Sequence, residues 1–173
     1  ACLLALTMML GLSATAFATE TAEKVQTPAN GGTVTFEKEY KLVGEGISPA
    51  ETFEFNIAKA GVENGGVDAE KQDMPTEGTA AYAQNGATTA GNKKKVTVAL
   101  PTYTSVGVYS YIITEKTDTT AGVAYDSKSV TMKVTAVDNN GTIEIAAVSF
   151  TKAGKKLADN EAAFNNTYTA NKL

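Results

Sequence analysis

The sequence predicts an all-β sandwich from two observations: seven short runs of alternating or β-branched residues separated by turn-forming clusters, and no stretch with a convincing helical period. The runs fall at 33–42, 52–58, 95–100, 107–115, 129–137, 142–150 and 162–169. Seven short strands within about 140 residues fit one two-sheet domain better than two separate domains.

Each element has a local reason. In the first run Val34, Phe36, Lys38, Tyr40 and Leu42 share one parity, while Thr35, Glu37, Glu39 and Lys41 form the polar complement. Ahead of it, Pro28-Ala29-Asn30-Gly31-Gly32 is a breaker cluster, so 19–32 is expected to be a linker and the folded domain to occupy 33–169. Asp138-Asn139-Asn140-Gly141 joins two β-branched runs, and Asn-Gly readily adopts the positive φ of a tight hairpin turn. Segment 61–94, rich in Gly, Ala, Thr and Asn, shows neither period and is expected to be a long loop with at most a short strand or helical turn.

Residues 1–18 carry no charge, contain the apolar run 3–12 and end in Ala16-Phe17-Ala18, a small-x-small cleavage pattern; they read as an export signal and not as a membrane span. No Met or basic stretch precedes them, so the true start is expected to be missing. Residues 170–173 read as the start of a linker or a cut C-terminus. The single cysteine, Cys2, lies within the signal, so the mature chain is expected to hold neither disulfide nor thiolate metal site.

With no histidine, the chain lacks the usual general base, the commonest metal ligand and any Ser-His or Cys-His nucleophile pair. A formal net charge of −4 disfavours phosphate-backbone binding, so nucleic acid is not an expected partner. Paired carboxylates for glycoside hydrolysis do not fall on any apolar strand end. No enzymatic turnover, cofactor or metal is expected.

Three polar residues interrupt the apolar parity. Lys38 shares it with Phe36 and Tyr40, Glu115 with Tyr109, Tyr111 and Ile113, and Asn166 with Ala162, Phe164 and Tyr168. Burial favours the uncharged forms of an amine and a carboxyl, leaving a nucleophilic lysine beside a protonated glutamic acid. Attack of the Lys38 amine on the Asn166 side-chain carbon, with loss of ammonia, would join the two side chains by an amide. Glu115 is expected to donate a hydrogen bond to the carboxamide oxygen and to shuttle protons. The reaction is a single self-modification, and on parity alone a solvated or ion-paired trio stays open.

Five segments carry a family resemblance: Val34-Thr35-Phe36-Glu37-Lys38, Phe53-Glu54-Phe55, Gly107-Val108-Tyr109-Ser110-Tyr111-Ile112-Ile113-Thr114-Glu115, Gly122-Val123-Ala124-Tyr125-Asp126 and Phe164-Asn165-Asn166-Thr167-Tyr168. In this order they resemble the streptococcal-type shaft pilin isopeptide domain of Gram-positive bacteria. The resemblance implies an immunoglobulin-like sandwich of the collagen-adhesin B type, in a secreted cell-surface subunit that sortase joins to neighbouring pilin subunits. It also implies a Lys-to-Asn isopeptide bond promoted by Glu, roles that fall on Lys38, Asn166 and Glu115. For the linkage between subunits it points to Lys156, with Lys155 and Lys152 as alternatives. No Leu-Pro-x-Thr-Gly-type sorting signal or hydrophobic anchor follows, so the chain is expected to stop short of them or to be a non-anchored module. The rival expectation is a surface adhesin that presents loops such as 61–94 to a host ligand.

Overall fold

The computed structural model describes residues 24–170; the expected export signal, Cys2 and the last three residues lie outside them. Two sheets face each other across one apolar core. The first follows the order β1 (Val25–Gln26), β11 (Thr142–Lys152), β10 (Val130–Asn139), β8 (Gly107–Glu115) and β4 (Phe55–Glu63), with β12 (Lys155–Lys156) folded back on β11. The second follows β5 (Thr76–Glu77), β7 (Asn92–Ala99), β2 (Thr33–Val43), β13 (Phe164–Thr169) and β9 (Val123–Ala124). A small third sheet pairs β3 (Glu51–Phe53) with β6 (Ala80–Tyr82).

All seven expected runs are strands, one of them in two pieces. The run at 52–58 divides at Glu54, β3 joining the small sheet and β4 the edge of the first large sheet. Alternation continues through the break, with Phe53 and Phe55 both buried and Glu54 exposed, which is why the sequence reads it as one strand. The 138–141 turn closes the β10–β11 hairpin with Asn140 at φ 53° and Gly141 at φ 88°, the two positive values that a type I′ turn requires.

Part of the expected linker is built into the fold. Val25 and Gln26 pair with Ser149 and Val148 of β11, and the Gln26 carboxamide exchanges hydrogen bonds with the Thr35 main chain at 2.6 and 2.8 Å. Asn30 ties the breaker cluster to the Tyr103 and Ile143 carbonyls. The sequence pattern misses this because a two-residue strand has no period to detect.

Core side chains come from both large sheets. Phe36 lies edge-on to Phe55, Phe150 and Phe164, with centroids 5.0, 6.1 and 5.5 Å away, and Val34, Val96, Val98, Tyr111, Ile113, Met132 and Val148 fill the remainder. A bulge between Thr135 and Ala136 shifts the β10–β11 register, which explains why the inward parity of β11 changes between Ile145 and Val148.

The segment 61–94 is more ordered and more buried than its composition suggests. It holds the end of β4, a 3₁₀ turn (Ala69–Lys71), β5, β6 and the start of β7. Gln72, Pro75, Ala80, Tyr82 and Ala87 are buried, and the Gln72 side chain donates to the Ser110 carbonyl at 3.0 Å. The sequence does not flag these five residues because they are spaced irregularly, as a wrapping segment requires and a strand does not.

Candidate functional site

The structure brings Lys38, Glu115 and Asn166 together between the sheets. Lys38 comes from β2, Glu115 from the last position of β8 and Asn166 from β13; they are 0 %, 8 % and 1 % exposed. β2 and β13 are adjacent and parallel, with Phe164 opposite Lys38 and Asn166 opposite Tyr40. Inward parity therefore sets the amine and the carboxamide on the same face of neighbouring strands. Lys41, Glu54 and Asn165, the neighbours of matching chemistry, are exposed.

The contacts around the cluster are few and directional. Lys38 Nζ lies 3.5 Å from Glu115 Oε2, donates to the Glu39 carbonyl at 2.8 Å and sits 4.1 Å from the centroid of the Phe53 ring. Asn166 Nδ2 donates a short hydrogen bond to Glu115 Oε1. Glu115 Oε2 receives no hydrogen bond, leaving a place where the carboxyl can carry its own proton.

Burial governs both titrating groups. It lowers the Lys38 amine to about 8, against the opposing pull of Glu115, and raises Glu115 above the ordinary carboxyl range despite Lys38 and the Asn166 hydrogen bond. Both shifts favour the neutral pair, an amine with a free lone pair next to a carboxylic acid.

One feature of the geometry departs from expectation. The main-chain N–H of Asp126 donates to Asn166 Oδ1 at 3.2 Å. A backbone amide nitrogen can only donate, so it fixes the carboxamide oxygen at Asp126 and turns the NH₂ group toward Glu115. Glu115 thus faces the nitrogen that would leave, and not the oxygen it was expected to polarise. The sequence offered Asp126 only as the end of a resemblance segment, with nothing to mark its main chain as a participant.

The small sheet closes the cluster from outside. Phe53 of β3 covers the amine, and the Tyr82 hydroxyl of β6 donates to the Lys38 carbonyl at 2.7 Å. Tyr40, Phe53 and Tyr82 meet edge-on with centroids 5.1 to 5.7 Å apart. The buried part of 61–94 therefore helps seal the site, and burial of this kind is what lowers the Lys38 amine to about 8.

The three lysines indicated for subunit linkage differ in setting. Lys155 and Lys156 are exposed on β12. Lys152 is only 14 % exposed and is held by Asp126 Oδ2 and the Ala163 carbonyl, each at 2.6 Å, so its amine is directed inward. Among the described residues there is no cluster of ligating side chains that could hold a metal ion, and no helix long and apolar enough to cross a membrane.

These observations define a class: an all-β sandwich with a dry lysine, glutamate and asparagine cluster bridging its first and last long strands. Residues 19–169 match the model of the Spy0128-like isopeptide containing domain, and the chain belongs to that family, the domain family of Gram-positive shaft pilins. Among solved structures it is similar to the major pilin from Streptococcus pyogenes, with 25% identity and TM-score 0.58 over 80% of this chain and 51% of that one. It is also similar in fold to the major pilin protein T-13 from a Streptococcus pyogenes serotype, with 19% identity and TM-score 0.58 over 85% and 55% of the two chains. The chain thus spans about half the length of these pilins. No curated protein matches the sequence.

Proposed function

We propose that the chain is a structural module of a Gram-positive surface pilus, held by an autocatalytic Lys38–Asn166 isopeptide bond that Glu115 promotes. The observation that carries this reading is the dry cluster itself, with amine and carboxamide on adjacent parallel strands and an acid between them.

The reaction balances within the cluster. The neutral Lys38 amine attacks Asn166 Cγ, forming a C–N bond as the C=O electron pair moves to Oδ1. Glu115 gives its proton to Nδ2, then takes one from Nζ. The oxyanion collapses, the C–Nδ2 bond breaks and ammonia leaves, returning Glu115 to its protonated form. Positioning supplies most of the rate, because the fold has already brought the reacting groups together.

The mechanical consequence follows from strand order. Force applied through the two ends of the domain loads parallel β2 and β13 in shear, and a bond between them carries that load covalently. The linked residues are 128 positions apart, so the chain between them is withheld from extension. Single-molecule pulling of the full chain tests this. The reading expects no unfolding step for wild type, whereas Asn166→Ala should release roughly 430 Å at about 3.4 Å per residue. A wild-type release of that length would refute it.

In the assembled pilus the module is exported, sits on the cell surface and is joined to neighbouring subunits by sortase. Lys156 is the favoured acceptor with Lys155 beside it, since both are exposed, while the inward contacts of Lys152 count against it. Sortase-dependent high-molecular-weight ladders that vanish with Lys156→Arg support this assignment, and ladders indifferent to both Lys155 and Lys156 oppose it.

A further inference from the structure

We propose that the main-chain N–H of Asp126 is the oxyanion donor of the cross-linking reaction, and that the Asp126 side chain and Lys152 are positioning residues that aim it. This rests on the isopeptide reading above and extends it to a residue whose side chain touches none of the reacting atoms.

The first support is direction. Attack on Asn166 Cγ places negative charge on Oδ1, and the Asp126 N–H donates to that atom at 3.2 Å while also bearing on the Glu115 carboxyl. A bond of that length to a neutral carbonyl is modest, and it strengthens as charge develops. Glu115 is engaged with Nδ2 and Lys38, so it does not serve Oδ1.

The second support is the construction around that amide. β9 pairs with β13 through Val123 opposite Tyr168 and Ala124 opposite Thr167, and Thr169 N donates to the Gly122 carbonyl at 2.9 Å. Beyond β9 the Asp126 carboxylate takes over: Oδ2 accepts from Asn165 N at 2.9 Å and from Lys152 Nζ at 2.6 Å, while Oδ1 accepts from Lys128 N at 3.0 Å. Lys152 also donates to the Ala163 carbonyl. These contacts lock Asp126 to the strand that carries Asn166, one residue to its N-terminal side. The donor and its target therefore move as one unit, as a preorganised oxyanion site requires.

The test uses the full chain, synthesised under denaturing conditions so that it begins unreacted, then refolded by dilution and sampled by intact mass. In one variant the α-hydroxy analogue of aspartate replaces Asp126, converting its N–H to an ester oxygen and leaving the side chain in place. Ammonia loss in the folded variant should be roughly 100-fold slower than in wild type, the effect of deleting one oxyanion donor. Circular dichroism should recover at the wild-type rate. Lys152→Met, which keeps the N–H but frees the carboxylate, should slow the reaction about tenfold by misplacing the donor.

An ester variant that folds and cross-links at the wild-type rate overturns the proposal and leaves the isopeptide reading intact. If the ester variant does not fold, Lys152→Met decides, and an unchanged rate there overturns the proposal. A wild-type chain that folds without losing ammonia overturns the underlying reading as well.

Discussion

Two lysine–acid pairs lie near each other in this domain, and they differ in almost everything except composition. Lys152 and Asp126 meet at 2.6 Å at the rim of the sandwich, where their side chains keep 14 % and 10 % exposure. Although burial pushes the Asp126 carboxyl up, the Lys152 hydrogen bond and two main-chain N–H groups outweigh it and hold that carboxyl below its usual range. Lys38 and Glu115 stand 3.5 Å apart with no side-chain exposure, and one Glu115 oxygen receives no hydrogen bond. Donor count decides the contrast: the well-bonded pair keeps its acid ionised beside the lysine, while burial pushes the under-bonded pair toward its neutral form.

The largest way to break this contrast is to remove the proposed bond between Lys38 and Asn166. In the chain-entropy model, a cross-link closing a loop of this length stabilises by roughly 5 kcal/mol. Asn166→Ala should lose about that much, read as a lower melting temperature and faster proteolysis, a large share of the roughly 5 to 15 kcal/mol that holds a typical domain. Glu115→Ala should also leave the chain unlinked, with Lys38 and Asn166 intact and unreacted.

Wetting the Lys38–Glu115 pair comes next. Phe53→Ala opens a cavity over Lys38 at a cost of about 4 kcal/mol by large-to-small core precedent. It should also slow cross-linking, because water restores the charged amine. The refolding rate of this variant, followed by loss of ammonia, checks the second effect separately from the first.

Breaking the Lys152–Asp126 pair is expected to cost less. Asp126→Ala strands Lys152 and two main-chain donors near the surface, about 2 kcal/mol in a denaturant titration.

The pairs also separate by pH. The Lys38 amine is protonated and unreactive well below its value of about 8, so the refolding chain should cross-link faster as the pH rises toward that value, until Glu115 loses its proton. The Asp126 contribution to stability has the opposite sense. Its folded value is depressed, so the contribution is complete above the unfolded value of about 3.9 and is lost as pH falls through the lower folded value. Time courses of bond formation across pH, beside acid unfolding curves of the linked protein, check both signs.

The smallest expected effect lies far from both pairs. Gly141→Ala forces a side chain onto φ 88° and should cost about 1 kcal/mol by thermal melt, with cross-linking unchanged.

What the sequence made legible follows from what period two can encode. The long strands were readable because each buries one face, and the same alternation exposed Lys38, Glu115 and Asn166 as misplaced polar groups. The split at Glu54 was hidden because alternation runs unbroken through two strands of different sheets. β1, β6 and β9 are too short to carry a period, yet β6 brings the Tyr82 that seals the site and β9 leads into the Asp126 amide. A main-chain donor leaves no residue-type signature, so the orientation of the Asn166 carboxamide was beyond reach of any pattern in side chains.

The claim on which the account turns is covalent, and mass reads it directly. Proteolysis of the folded protein, followed by tandem mass spectrometry, should yield a single branched species joining the Lys38 peptide to the Asn166 peptide, lighter than their sum by one ammonia. Recovery of the two peptides as separate linear species with unmodified masses would contradict it.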